Sequence, residues 1–316
     1  MTSRERVRRA VHFQQPDKTP LFYFNAYTER SDILNVGYRP SADFRPVDDS
    51  QSEWGFCWHR IDGTMGQPVN PPIDDLCKLA SYKPPCGKEP ARFLHLAADR
   101  ERFLDKYLIG ALGISGMNLA SFLRGFEAYL TDLYEFPEEA VRLLDMVIDF
   151  ETDVIRGYGA QGLDAVGFAD DLGMQASLIV SPQMFRDILK PRYKKQFDLA
   201  HSLGMDVYFH SCGDISAILP DLLEIGVDIL NLNQPDIFGI EVLASQYAGK
   251  VCFNCPVDHQ TVAITGSDAE IADYVRRLQA GFGGGDGGFI GYIEEYGSVG
   301  MSDANFASIL RAFEGL

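Results

Sequence analysis

The chain has 316 residues, 46% apolar and 23% charged, the proportions of an ordinary folded globular protein and the length of one (β/α)8 barrel. Its formal net charge of −17 repels nucleic acid and anionic membrane surfaces. The same charge disfavours a polyanionic substrate unless basic residues cluster locally, and no apolar run reaches the ~18 residues of a transmembrane helix.

In chain order, the opening MTSRERVRRAVHFQQPDKTP lacks the apolar core of a signal peptide, and a cytoplasmic location is expected. It reads as an amphipathic helix with Val7, Ala10, Val11 and Phe13 near helical spacing, capped by Thr2 or Ser3. KTPLFYFNAY, residues 18–27, predicts the first strand. Residues 28–90 are rich in Pro, Asp and Gly and read as an excursion over one end of the fold. Helices are predicted over 119–135 and 137–160.

From there the chain alternates. LDAVGFADD (163–171) predicts a buried strand. Residues 181–204 predict a helix, with Ser181 as N-cap, Pro182 in the first turn and Gly204 at the end. Pro191 is expected to kink or split it. MDVYFHS, VDILNLNQ, KVCFNCPVD and GGFIGYIEE predict further strands, each followed by a helical pattern. The helix after KVCFNCPVD opens on Ser267 with Glu270 three residues on, a capping-box spacing. Five clear strand–helix units and three blurred ones fit a single (β/α)8 barrel domain over residues 1–316. An open doubly wound sheet is the competitor, but no GxGxxG follows a first strand, and GFGGGDGGFIG precedes a strand instead of opening a helix.

In such a barrel the site lies at the C-terminal strand ends. These ends carry Asn25 and Tyr27; Asp170 and Asp171; His210 and Cys212; Asn233 and Gln234; Cys255 and Asp258; and Tyr292, Glu294 and Glu295. His210 and Cys212 are two apart and point the same way on a strand, offering an imidazole and a thiolate of the kind zinc prefers. A catalytic zinc needs a third protein ligand, for which Cys255, Glu294, Glu295, Asp170 and Asp171 are available. The ordinary fates of these residue types are a packed cysteine and a hydrogen-bonded histidine; the acid-ringed mouth is what favours a metal here. Asp170 and Asp171 are adjacent, so only one faces the axis. Cys252 reads as core, and His12, His59, His95 and His201 as structural. The six cysteines are expected to be reduced.

SPQMFRDILKPRYKKQFDLAHSLGMDVYFHSCGDISAILPDLLEIGVDILN resembles the core of the uroporphyrinogen decarboxylase superfamily. RERVRRAVHFQQPDKTPLFY, LRGFEAYLTDLYEFPEEA and ADDLGMQ are similar to its branch of corrinoid-dependent methyltransferases, including O-demethylase types. The resemblance spans nearly the whole chain and is weakest over 28–90. It implies a TIM barrel and, for the methylcobamide methyltransferases, a zinc held by His-x-Cys and a later Cys. His210 and Cys212 match the first two; counting back from DAN (303–305), Glu295 stands at the later Cys. Either Glu295 replaces the thiolate, or Cys255 supplies it, or the zinc is lost. The decarboxylase's arginine-rich segment corresponds here to LFYFNAYTERSDILN, with Arg30 alone, which places decarboxylation below methyl transfer.

The resemblance thus implies methyl transfer from a small methylated donor, a methoxylated aromatic, to the cob(I)amide of a separate corrinoid protein. Zinc on His210, Cys212 and Glu295 would act as Lewis acid. Asp170, Asp171 and Tyr292 are the expected proton carriers or ring-orienting groups, and Asn25, Gln175, Asn233 and Asp258 the expected substrate contacts. Transfer from a corrinoid to a thiol or amine, and a non-catalytic ligand-binding barrel, are the alternatives. Homo-oligomerisation is compatible with the chain.

Overall fold

The computed structural model describes residues 1–24, 27–61, 66–297 and 300–316. Ten strands are defined: β1 (Leu21–Tyr23), β2 (Ile33–Gly37), β3 (Cys57–His59), β4 (Gln67–Val69), β5 (Tyr107–Ile114), β6 (Ala165–Ala169), β7 (Asp206–His210), β8 (Ile229–Asn231), β9 (Cys252–Cys255) and β10 (Phe289–Ile293). Eight of them form one parallel sheet in the order β1-β10-β9-β8-β7-β6-β5-β2, while β3 and β4 form a separate antiparallel pair. The eight follow one another round the sheet in chain order, the (β/α)8 topology expected.

Strand parity decides the layers. Phe22, Ile33, Tyr107, Ile109, Ala165, Tyr208, Ile229, Cys252, Ile290 and Tyr292 form the barrel interior together with Val7 and Val11 of the first helix. That helix, Ser3–Val11, is N-capped by Thr2 and closes the N-terminal end of the barrel. Its arginines are not merely a solvated face. Arg4 reaches Oδ1 of buried Asp164 at 2.6 Å, and Arg6 bridges Asp17 and Asp32. The alternate residues, such as Val166, Phe168, Val207, Phe209, Leu230 and Phe253, pack outward against the helices.

The β1–β2 seam is closed mainly through side chains. Leu21 N–H donates to Asp32 Oδ2 at 2.9 Å, Tyr23 N–H to Ser31 Oγ at 3.1 Å, and Asp32 N–H to Leu21 O at 2.8 Å. Ser31 and Asp32 are buried, so these bonds satisfy donors that water cannot reach.

Several local expectations need correction. The N-terminal excursion contains a barrel strand, β2, and the barrel strand β5 is preceded by a helix at Leu94–Arg102. The predicted 119–135 helix is two, Gly116–Arg124 and Phe126–Glu135, broken at Gly125 with φ 92°. Pro191 splits its helix by way of a π-helical turn at Phe185–Leu189, which leaves the proline in the first turn of Lys190–Ser202, where its missing N–H costs nothing. The Ser267–Glu270 capping box forms as spaced. No helix among the described residues is long and apolar enough to cross a membrane.

Ser31→Ala leaves the buried Tyr23 N–H without its acceptor and is expected to cost about 1–3 kcal/mol. Urea unfolding should show a lower midpoint at unchanged m-value; an unshifted midpoint would mean that the seam does not depend on this bond.

Candidate metal centre and cavity

The C-terminal ends of the barrel strands enclose a cavity of about 450 Å3, within the usual size of small-molecule sites. Its wall on β5 and β6 carries the small residues Ala111, Gly113, Gly167 and Ala169, with Ile109 and Ile114 beside them. Gly113 sits at a register shift between these strands with φ +77°, and a Cβ there would meet open space. Across the barrel stand Phe24, just after β1, and Tyr292 on β10, while Tyr208 reaches in from β7 beside Gly167.

On the floor runs a hydrogen-bonded belt. His210, Asn231 and Asn254 are lateral neighbours on β7, β8 and β9. Asn254 Nδ2 donates to Ile290 O at 3.1 Å, Asn231 Nδ2 to Asn254 O at 2.7 Å, and Tyr208 OH to Asn254 Oδ1 at 2.9 Å. Since the Asn231 amide nitrogen is committed to Asn254, its Oδ1 accepts from His210 Nδ1 at 2.6 Å. That bond fixes the imidazole and turns Nε2 toward the mouth.

Three ligand-type side chains converge on that nitrogen. His210 Nε2 lies 3.6 Å from Cys212 Sγ and 3.4 Å from Asp171 Oδ1, and one ligand atom from each residue falls within 4.8 Å of the others. Tetrahedral zinc, with bonds of about 2.05 Å to nitrogen, 2.3 Å to sulfur and 2.0 Å to oxygen, holds nitrogen and sulfur ~3.5 Å apart and nitrogen and oxygen ~3.3 Å apart. The donor set therefore fits a zinc in chemistry, and its two distances from the imidazole fit in spacing. Burial opposes charge on the His210 ring, but Asp171 and Cys212 outweigh it and raise the ring's pKa well above the ordinary value. Asp171 is shifted the other way: burial pushes it up, and His210 with the Cys212 amide overcomes this and lowers it.

The two loops that carry these ligands are locked together. Cys212 N–H donates to Asp171 Oδ1 at 2.8 Å, Gly173 N–H to Cys212 O at 3.2 Å, and Asp214 N–H to Met174 O at 2.7 Å. The backbones touch at Gly173 and Gly213, where a Cβ on either would stand 2.5 or 2.3 Å from the other's carbonyl carbon. Gly213 N–H is received by Gln234 Oε1 at 2.7 Å.

The structure sorts the sequence candidates. Asp171, His210, Cys212, Asn233, Tyr292 and Glu294 line the cavity. Asp170 does not. It is fully buried behind the sheet and accepts from Met117 and Asn118 N–H at 2.8 and 2.9 Å and from Tyr193 OH, so it anchors a helix N-terminus. Glu295 is exposed and receives Gly297 N–H at 2.5 Å, because strand parity turns its neighbour Glu294 inward instead. Cys255 faces the helices, fully buried, its thiol pushed up to about 12 by burial; Cys252 is the one that points into the barrel. Asp258 is a loop organiser, accepting from Gln260 N–H at 2.9 Å and Thr261 Oγ1 at 3.2 Å. Gln175 is exposed on the loop after β6, outside the cavity lining. Tyr27 is half-exposed and stacks on Phe306. Asn25 lies outside the described residues.

Sequence reading passed over Asn231, Tyr296 and His259. Asn231 could have been found by the register that places it beside His210. Tyr296 donates to Glu294 Oε2 at 2.8 Å, as does Tyr292, and its ring lies 4.7 Å from that of His259, tilted by 42°. His259 lies on the loop after β9, where no spacing marks it.

The sequence matches the family model described as uroporphyrinogen decarboxylase (URO-D) over residues 67–293. A parallel eight-stranded barrel with its cavity at the C-terminal strand ends is the class the fold defines. Within that class, the chain belongs to the uroporphyrinogen decarboxylase family. Among solved structures it is similar to a methyltransferase from Methanosarcina mazei, with TM-score 0.71 and 16% identity over 100% of this chain and 99% of that one. It is also similar to the 3-keto-D-glucoside 4-epimerase of E. coli, with TM-score 0.45 and 12% identity over 73% and 88% of the two chains. At 16% identity the likeness to the methyltransferase is one of fold. No curated protein sequence matches.

Glu151 gives a test of the anchor behind the site. Its Oε1 accepts Gly116 N–H at 2.7 Å and its Oε2 Gln196 Nε2 at 2.9 Å. Burial raises it to about 7, against the pull of these two bonds. The folded chain then keeps a proton that the unfolded chain loses near pH ~4.3. Its contribution is full below that pH and lost as pH rises to about 7. Glu151→Gln retains an oxygen for Gly116 and offers an N–H to Gln196 Oε1, which has no partner among the described residues. Urea unfolding across that window should show a flatter decline in stability with rising pH than wild type; an unchanged slope would assign the decline to other groups.

Proposed function

We propose that this chain is a corrinoid-dependent methyltransferase of the O-demethylase type, acting as one unit over residues 1–316. It moves a methyl group from a small methylated donor, a methoxylated aromatic, to the cob(I)amide of a separate corrinoid protein. The observation that carries the reading is the convergence of Asp171, His210 and Cys212 on one point in an aromatic-walled cavity.

The chemistry sets the demand. Cob(I)amide supplies the electron pair for the new cobalt–carbon bond, and the carbon–oxygen bond breaks with its pair leaving on oxygen. A phenolate is a poor leaving group unless its charge is met as it develops. His210, Cys212 and Asp171 would hold a zinc, which would supply Lewis acidity toward that oxygen. The chain's own groups do the rest. Asn231 holds His210 in one orientation. The Cys212 amide holds Asp171. Phe24, Tyr208 and Tyr292 give the ring an apolar seat, and the small residues of β5 and β6 leave room for it. Tyr292 and Tyr296 keep their protons, because burial and the Glu294 carboxylate raise both phenols above the ordinary range; Tyr292, in the cavity wall, is placed to orient the ring.

Lining chemistry weighs against a porphyrinogen decarboxylase. Such a substrate carries many carboxylates, yet among the described lining residues there is no Arg or Lys, while Asp171 and Glu294 are present. Arg30 pairs with Glu314, and Arg124 is spent on Asp132 and a loop carbonyl. One thiolate and one carboxylate also make a harder ion than two thiolates would, which suits an ether oxygen better than a thiol.

Metal analysis tests the centre. Wild type and Glu295→Ala should carry about one zinc per chain; His210→Ala, Cys212→Ala and Asp171→Ala should lose most of it, and Asn231→Ala should weaken affinity about 10–100-fold. Equal zinc in all variants would sink the site. Methyl transfer from aryl methyl ethers to free cob(I)alamin, followed by its absorbance, should be found in wild type and lost in the three ligand variants.

A further inference from the structure

The proposed function leaves the donor's substituents open, and the end of the cavity between β8 and β10 narrows them. Glu294 follows β10, three strands round the barrel from β7. Its Oε2 receives both Tyr292 OH and Tyr296 OH at 2.8 Å. Its Oε1 has no hydrogen-bond partner among the described residues. Tyr296 spends its proton on Glu294, so its oxygen can only accept, and it does so from Asn233 Nδ2 at 3.3 Å. The Asn233 amide is thereby oriented, and its Oδ1 is left without a partner among the described residues although Asn233 is only 8% exposed. Both residues line the cavity. This end therefore presents two unmatched acceptors, Glu294 Oε1 and Asn233 Oδ1, one of them charged and neither faced by a cation in the described lining.

Resting on the methyl-transfer reading, we infer that Glu294 and Asn233 form a specificity-determining subsite for a hydrogen-bond donor on the substrate ring, a hydroxyl or an ammonium, and that they exclude ring carboxylates. A donor satisfies two acceptors that are otherwise desolvated when the ring enters. A carboxylate brings a like charge against Glu294 with nothing to compensate it. Tyr292 and Tyr296 cannot reverse this, because their hydroxyl protons are already committed to Glu294. The subsite thus selects the sign of the substrate as well as its shape.

Four matched ligands separate the cases: 4-methoxyphenol, 4-methoxybenzylammonium, anisole and 4-methoxybenzoate, each titrated calorimetrically into the zinc-loaded wild-type protein and then assayed for methyl transfer to cob(I)alamin. Binding of the phenol or the ammonium should be at least about tenfold tighter than that of anisole, and the benzoate weaker still. Whichever of the first two binds better identifies the donor. Glu294→Gln should narrow the gap between phenol and benzoate by about tenfold or more, with zinc content unchanged as the check that the barrel is intact. Benzoate binding as tightly as the phenol in wild type would overturn the inference while leaving methyl transfer standing. The expected binding order without any methyl transfer would support the subsite and refute the activity.

Discussion

One hydrogen bond organises the candidate site: Cys212 N–H to Asp171 Oδ1 at 2.8 Å. It ties the end of β6 to the end of β7 and aims a carboxylate at the imidazole already placed by β7. Without it, Asp171 would be a half-exposed acid on a loop, free to turn to solvent. The bond in turn requires the two loops to touch at backbone distance, which Gly173 and Gly213 alone permit, the second at φ +77°. The geometry of these three side chains is a property of loop packing.

The second layer of control is the amide belt. A histidine at a strand end has a rotatable ring and two candidate nitrogens, and a ligand with that freedom binds weakly. Asn231 and Asn254 remove the freedom through a chain of donors that ends on a main-chain carbonyl of β10. Each amide is buried and each has its direction dictated by the next. Such networks cost a great deal when one member is missing. The belt explains why polar residues stand at interior positions of β8 and β9 that a barrel core would otherwise fill with branched apolar side chains.

Much of this was legible in the sequence, for a physical reason. His210 and Cys212 announce themselves because two-residue spacing on a strand is a geometric statement, and the alternating strand–helix pattern after residue 163 leaves few topologies. Parity also explains the errors. Glu294 and Glu295, or Asp170 and Asp171, are indistinguishable by composition, and only register says which of each pair faces the axis. The frame placed Asp170 behind the sheet and Glu295 in solvent. β2 was hidden because a five-residue strand inside a Pro- and Asp-rich segment carries no periodic signal, and its edge toward β1 is held by Ser31 and Asp32 side chains instead of a ladder. Asn231 and Tyr296 act through neighbours remote in sequence, so no local spacing can mark them.

The cavity itself is specified by absences. A (β/α)8 barrel normally fills its axis with layers of Val, Ile and Leu, and the lower half here does so with Ile33, Ile109, Ile229 and Ile290. Above them, β5 and β6 switch to Ala111, Gly113, Gly167 and Ala169. Outward packing accounts for other small residues: Gly110 is small because Tyr158 lies against it, where a Cβ would stand 2.5 Å from the ring. Gly113 is held to glycine by its backbone, at φ +77°, while Ala111 and Ala169 leave volume unclaimed on the axial side. Void in a core costs stability in proportion to its size, so a barrel that keeps one open directly beside an oriented imidazole, a thiol and a carboxylate sacrifices packing for occupancy. The aromatic side chains of Phe24, Tyr208 and Tyr292 then bound the space, and Glu294 and Asn233 make part of its lining polar, so that the cavity is divided between a wall that makes room and walls that can make contact.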